Sequence, residues 1–422
     1  PWTSDFHKLR TSDVHESLED MLAKMLARPS IASTAFIAAQ YDHEVQGSSV
    51  TKPLQGRGRV NADAGVIKPL PHSPKGIVLS DGYCPWYSDI DTNAMAAAAI
   101  DIAVRNAVCA GSPIDHLAIL DNFCWSSSDT PERLYELKRA AKACYDTAVA
   151  YGTPFISGKD SMFNDFRGFT ENGEKVHIAA PPTLLISAIG VMPDIGKAVT
   201  LDLKMPGDSL YLIGETRDEL GASEYLHMIA DCRTGFTDSD AVRGVQAKWG
   251  EPYMSYGENH FVQHNDEMRR ICEFGAVPQV DARKNLRAYK ALAQAIQEEL
   301  VASAISVGRG GLGVALAKTA IAGQLGIRAN ISTILWKSDF HRKLDKMRIG
   351  EIILFSESQG RIVVSVRSEA HAAFEKVMKG IACTRIGEVT NQQTLDLTLP
   401  HTKMTTPLTA LAKAYRGTFK DW

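Results

Sequence analysis

The chain is poor in the features that mark a special environment. Its seven cysteines, at 84, 109, 124, 144, 232, 272 and 383, include no Cys-x-x-Cys pair, and their number is odd. That pattern supports neither a zinc site nor a disulfide framework, so reduced thiols in a cytoplasmic protein are expected. No apolar run approaches the ~18 residues needed to cross a bilayer. Pro1-Trp2-Thr3-Ser4-Asp5 lacks the basic start and apolar stretch of a secretory signal. Net charge is only −3, with 46 basic and 49 acidic side chains and no basic block. Neither nucleic acid nor an anionic membrane is therefore implied as a partner. None of the twelve histidines forms a His-x-Glu or His-Glu-x-x-His pattern, and no Gly-x-Ser-x-Gly elbow or Cys/His nucleophile pair occurs. Covalent hydrolysis is left unsupported.

What is present reads as an ordinary globular chain, 45% hydrophobic and 23% charged over 422 residues. That length exceeds one typical core, which predicts two domains. Leu18, Met21, Leu22, Met25 and Leu26 recur at helical spacing in an amphipathic lead-in over residues 1–30, ended by Arg28-Pro29. An extended, glycine-rich piece spans 41–71. Strands and helices then alternate: a strand over 76–80, and an alanine-rich helix from Asp91 or Thr92 to Cys109, apolar almost all round. A strand follows over 117–120, then a helix opened by Thr130-Pro131 and closed by Gly152. A short strand at Phe155-Ile156 leads into a Gly-Lys-Asp-Ser turn, and a buried strand occupies 182–192. A second unit opens near Met205-Pro206-Gly207-Asp208 with a strand from Ser209, helices over 283–302 and 311–324, and strands near 351–355, 361–366 and 384–389. A mixed α/β fold follows, with domains at 31–204 and 205–395 and a tail at 396–422.

Several constellations carry chemistry. In Thr153-Pro154-Phe155-Ile156-Ser157-Gly158-Lys159-Asp160-Ser161-Met162 an apolar strand runs into a glycine, a lysine, a carboxylate and a hydroxyl. The glycine admits close backbone approach, Lys159 supplies a point charge and Ser161 a hydroxyl, which suits a polyphosphate. It is not a Walker A loop, because five residues, not four, lie between Gly152 and Gly158 and Asp160 follows the lysine. An ordinary turn explains the same four residues. Asp121 ends the 117–120 strand, where ligand-binding carboxylates are common in α/β folds; a turn aspartate is the plainer reading. Asp101 and Arg105, four apart on the alanine-rich helix, are read as a self-neutralising pair beside Asn106. Asp63 is a potential oxygen ligand for magnesium or a solvent-facing turn acid. The glycines of Gly308-Arg309-Gly310-Gly311 open a helix, where backbone N–H groups can meet phosphate or simply allow tight packing.

Together these segments resemble the phosphoribosylformylglycinamidine synthase family. Gln40–Gly47, Asp89-Ile90-Asp91, Ile102–Asn106, Ile119–Phe123, Ser157–Ser161, Arg217–Gly221, Gly310–Leu312 with Ala315–Ala317, and Ile386–Val389 occur in the family's order over residues 30–395. The match is to the second half of that enzyme only. The resemblance implies an aminoimidazole ribonucleotide synthetase-like fold, an ATP-binding-type domain followed by a second α/β domain. It also implies that two half-units pack through the sheets of their first domains. The implied reaction is ATP-dependent amidation of formylglycinamide ribonucleotide with ammonia from a glutaminase domain or subunit. Carried over by position, Asp121, Gly158, Lys159 and Asp160 fall at the ATP site and Ser161 at the substrate. Lys159 stands where short-form members carry a magnesium-ligating asparagine; long-form members share Gly-Lys-Asp-Ser. The family's catalytic histidine and most magnesium ligands belong to the other half, so no catalytic residue is assigned here.

An auxiliary magnesium–nucleotide site of long-form members would draw on Asp63 and Asn106. Its other ligand positions hold Ile102, Ser306, Gly308 and Arg309, which predicts a degenerate site. Two further readings remain: a non-catalytic scaffold half that holds the pseudo-dimer and docks the glutaminase, and another ATP-using member of the superfamily.

Overall fold

The computed structural model describes residues 16–40, 44, 47–169, 172–234, 275–332, 334 and 346–422. Residues 1–15 of the lead-in and most of Gln40–Gly47 lie outside the described residues.

The first domain is a six-stranded sheet of Ser49–Thr51 (β1), Ala64–Ile67 (β2), Gly76–Tyr83 (β3), Leu117–Cys124 (β4), Phe155–Ser161 (β5) and Thr183–Met192 (β6), in the order β1-β2-β3-β6-β4-β5. All pairings are antiparallel except β4 with the edge strand β5. The connection between those two is the helix Pro131–Tyr151, as a parallel pair requires. The second sheet joins Ser209–Ile213 (β7), Ser303–Ser306 (β8), Gly326–Asn330 (β9), Ile362–Val366 (β10), Cys383–Thr390 (β11), Thr394–Leu399 (β12) and Thr402–Pro407 (β13), in the order β8-β10-β7-β11-β9-β12-β13.

The described helices that matter below are Leu18–Leu26 (α1), Thr92–Cys109 (α2), Pro131–Tyr151 (α3), Glu224–Thr234 (α4), Ala282–Gln297 (α5), Gly311–Gly323 (α6), Lys346–Phe355 (α7) and Leu408–Gly417 (α8). The Asp91 side chain caps α2 by accepting from Asn93 N. Proline opens α3, and Gly152, at φ +73°, ends it in the left-handed conformation a side chain would resist. Why α2 is apolar all round is now plain. One side lies on β3 and β6, another on α3, and a third meets α5 and β8 of the second domain. The core therefore runs unbroken from Ile119, Ile186 and Ala99 to Tyr211, Tyr289 and Ile362. A second core packs α1, α6, α7 and α8 on the other face of the second sheet.

Five expectations change. The Gly-Lys-Asp-Ser segment is the strand β5, because its backbone pairs in register with β4. Asp121 lies within β4, which continues to Cys124, and not past its end. Residues 351–355 belong to the helix α7: Ile352, Ile353, Leu354 and Phe355 are wholly buried, and a short run buried on every side shows no period that separates strand from helix. Residues 396–422 are no appendage, since β12 and β13 extend the second sheet and α8 packs on α1. The strand β6 is also only half buried. Leu184, Ile186 and Ala188 face the helices, while Val191 is exposed on the opposite face.

Candidate active site

Strand register assembles the first cluster. Asp121 pairs with Gly158, Asn122 with Lys159, Phe123 with Asp160 and Cys124 with Ser161. Alternation of side chains then sorts them. Asp121 pairs with buried Ile186 on β6, so it points to the helix-covered face. Asp160 shares that face, and Lys159 and Ser161 share the other. The sequence-level quartet is thus divided: two carboxylates on one side of the sheet edge, an ammonium and a hydroxyl on the other.

Gly158 is the residue that makes this packing feasible. A methyl group at its Cα would run into the Asp121 carboxylate, so only glycine leaves that carboxylate its place. Burial pushes the Asp121 carboxyl above its usual range, Asp160 adds to the rise, and the Lys159 backbone N–H opposes it. Gly158, Lys159 and Asp160 themselves are solvent-exposed. Beyond Ser161 the hairpin Asp165–Phe169/Lys175–Ala179 stands out from the edge, with Phe166, Phe169 and Ile178 exposed. The open face of the sheet is apolar as well: Leu79, Tyr83 and Val191 are 45%, 36% and 48% exposed.

A second site lies between the domains. Asp63, Asp81, Tyr83, Ile102 and Asn106 of the first domain and Ser306, Gly308, Arg309 and Lys318 of the second line a cavity of about 220 Å³. Both residues expected at the auxiliary site, Asp63 and Asn106, are brought together there. Asn106 Nδ2 donates to Asp81 O at 3.0 Å, and its buried Oδ1 has no partner. Ser306 Oγ accepts from Arg105 Nε at 2.7 Å. Arg309 stacks over the Tyr83 ring at 4.7 Å and donates to Tyr83 O at 2.6 Å. Lys318 Nζ stands 3.6 Å from Asp63 Oδ1. Burial is the strongest single influence on the Lys318 ammonium and works against it, but Asp63 and Tyr415 together raise its pKa.

This donor set does not suit magnesium. Among the described residues no three His, Cys, Asp or Glu side chains converge on a metal position, and an ammonium already faces Asp63. The glycine-rich helix start is committed elsewhere. Gly310 N–H donates to Glu357 Oε1 at 2.8 Å and Gly311 N–H to Gly308 O at 3.0 Å. A methyl at Gly311 would lie 2.6 Å from both Leu354 O and Ser356 O, so tight packing accounts for that glycine. Sequence reasoning missed Lys318, although it is the one charged residue in the apolar helix Gly311–Gly323.

Asp101 forms the centre of the domain junction. It accepts from Arg105, from the Tyr151 and Tyr289 hydroxyls, from Asn285 Nδ2 and from Gly360 N–H. Arg105 also reaches Gln359 Oε1 at 3.2 Å. Both are wholly buried, so the expected i,i+4 pair exists, but it joins two domains instead of neutralising one helix.

Residues 205–400 match the family model described as AIR synthase related protein, C-terminal domain. Residues 205–400 thus carry an AIR synthase-related C-terminal domain, and the chain is similar to PurL proteins along most of its length. The chain is 31% identical over 356 residues to the phosphoribosylformylglycinamidine synthase subunit PurL of Methanocaldococcus jannaschii, a match spanning 84% of this chain and 40% of that protein. It is 30% identical over 368 residues to the subunit of the same name from Alkaliphilus metalliredigens, again 40% of that protein. It thus spans about two-fifths of the curated relatives it matches. The fold is similar to that of Thermotoga maritima PurL solved with FGAR, with a TM-score of 0.61 over 97% of this chain and 56% of that one, at 14% identity. The same organism's PurLQS structure gives 0.60 over 98% and 54%. No described helix is long and apolar enough to cross a membrane.

Proposed function

We propose that the chain is the C-terminal half-unit of a phosphoribosylformylglycinamidine synthase. It would take part in de novo purine biosynthesis by ATP-dependent amidation of formylglycinamide ribonucleotide to the amidine. The observation that carries this reading is the paired edge β4–β5, where Asp121 lies against Gly158 while Lys159 and Ser161 face outward. That edge borders an open apolar sheet face of the kind a second half-unit would cover. Relatives solved with ATP, such as Thermotoga maritima PurL, support the nucleotide assignment.

In this reading ATP phosphorylates the amide oxygen, and ammonia then displaces phosphate from the iminophosphate. Lys159 would offset phosphate charge, as cations do in phosphoryl transfer. Ser161, on the same face, would hydrogen-bond the substrate. Asp121 and Asp160, on the helix side of the edge, would position the nucleotide-binding strand and accept from the nucleotide where it wraps the edge. Magnesium would be held chiefly by the other half-unit, and a glutaminase subunit or domain would deliver ammonia. This half alone would turn over little substrate, in the cytoplasm or in a test tube.

The test is reconstitution of the chain with a complementary N-terminal half and a glutaminase. Lys159→Ala and Ser161→Ala are expected to lower turnover by about a hundredfold or more, the scale for losing one group that stabilises developing charge. Unchanged turnover in both variants would favour the scaffold reading, in which this half supplies only the paired sheet and the docking surface.

A further inference from the structure

A groove of about 460 Å³ lies between α8 and the end of α6, lined only by residues of the second domain. Its floor is apolar. Ile321 and Leu408 are buried there, and Ala412 and Gly417 are small enough to leave the space open. Thr409, Ala412, Lys413 and Arg416 share one face of α8 by their spacing, and Lys420 follows just past its end. The apolar groups therefore gather at one end of the groove and the cations at the other. No acid lines it, although the whole chain carries a net charge of −3. Lys413 makes no ion pair among the described residues, and Lys420 reaches only its exposed neighbour Asp421, at 3.9 Å. Arg416 Nη2 donates to Gly58 O at 2.6 Å, which fixes the guanidinium and leaves donors over. Gln324 ends α6 at φ +54°, in the left-handed conformation where glycine is the unstrained choice. A glutamine there adds an amide to the groove wall.

A cation in the last turn of a helix offsets its dipole, and Arg416 alone meets that need for α8. Lys413 and Lys420 exceed it. An inorganic anion would leave the apolar floor uncovered, and a neutral hydrocarbon would bring nothing to the cations beside it. The volume falls within the roughly 300–1,000 Å³ of small-molecule sites. We propose that this groove binds a small amphipathic anion, an aliphatic body ended by a carboxylate or a phosphate. The head lies on Lys413, Arg416 and Lys420, and the body lies over Ile321, Leu408 and Ala412. Charge and polarity match such a ligand end for end. The groove shares no residue with the β4–β5 edge or with the interdomain cavity, so it stands or falls independently of the ligase reading.

Decanoate and decyl phosphate, each below its micelle threshold, are titrated calorimetrically into the full chain, with decanol and acetate as the body and the head alone. Saturable binding of at least one of the two anions, one per chain, is expected. Decanol should bind about tenfold more weakly or worse, the scale of one charge-assisted hydrogen bond, and acetate should show no saturation. Lys413→Gln should weaken the bound anion by about tenfold, and Lys413→Arg should restore it. Ala412→Trp fills the floor and should abolish binding; if that variant does not fold, the exposed Lys413 pair still decides. Lys403→Gln, an exposed cation of β13 outside the groove, should change nothing. The proposal is overturned if neither anion saturates, if decanol binds as tightly as decanoate, or if a folded Ala412→Trp or Lys413→Gln variant binds like the parent. Binding only to anionic phospholipid vesicles, or only to an acidic amphipathic peptide, would equally overturn it in favour of a surface or a polypeptide as the occupant.

Discussion

Asp101 and Asp121 are both carboxylates of the first domain, and their surroundings could hardly differ more. Asp101 is wholly buried, and five donors from both domains fill its lone pairs. Asp121 lies at the sheet edge, opposed to an exposed glycine and close to a second acid. A carboxylate whose acceptors are all taken by the protein can serve only the fold. One with acceptors left over, at an edge that solvent reaches, remains available to a ligand. Burial alone would have ranked the two the other way round, since buried acids are the ones usually singled out as functional. Hydrogen-bond satisfaction is the better discriminator here.

Breaking the hub should have the largest effect. Asp101→Ala leaves Arg105 buried without its counter-charge and strands two tyrosine hydroxyls, and the expected loss is about 3–5 kcal/mol of stability. Urea unfolding of the variant measures it, and a loss near zero would mean that the junction is not cooperative. Glu357 tests whether satisfaction by hydrogen bonds is sufficient without a cation. It accepts from the Tyr87 hydroxyl, Gly310 N–H and Glu224 N–H. Burial, with Glu224 nearby, nonetheless pushes its carboxyl up to about 7. A carboxyl raised in the folded state contributes stability that is complete below its unfolded value and lost as pH rises through its folded value. Stability should therefore fall between about pH 4.5 and 7 by at most about 3 kcal/mol from this group. Glu357→Gln should flatten that slope in unfolding midpoints measured across the range; an unchanged slope would assign it to other groups.

At the edge the effects should be smaller in stability. Gly158→Ala forces the Asp121 carboxylate aside and should cost about 1–3 kcal/mol. In an Asp121→Ala background that cost should largely vanish, because the clash is gone. An additive double mutant would show that the two residues do not share the space. Smallest of all, the exposed pair Lys142–Asp146 on α3 should contribute well under about 1 kcal/mol. Lys142→Ala should leave the unfolding midpoint almost unmoved, and a larger shift would mean that this face is covered by something.

The helices α2 and α3 were the most legible part of the fold. Asp91 ahead of α2, Thr130-Pro131 ahead of α3 and Gly152 behind it act locally, through capping and a positive φ, so the chain announces them without reference to the rest. The pairing of Asp101 with Arg105, one helical turn apart, was legible for the same reason. The assignment of that segment to a turn failed because strand pairing is non-local: nothing in Ser157–Ser161 encodes its partner, Leu120–Cys124. The residues 351–355 failed because a side-chain period exists only where one side is exposed.

Composition, caps and periodicity by themselves determined a mixed α/β protein, and they placed its acids and glycines along the chain. Only the tertiary structure decided which of those residues meet. It set Asp121 against Gly158, turned Lys159 and Ser161 to the opposite face, joined Asp101 to five donors across the domain junction, and brought Lys318 to Asp63 from 255 positions away in sequence. The physical reason is range. Backbone preferences and caps act over one helical turn, whereas a charge or a hydrogen bond acts on whatever packing places within a few ångströms, whatever the separation along the chain.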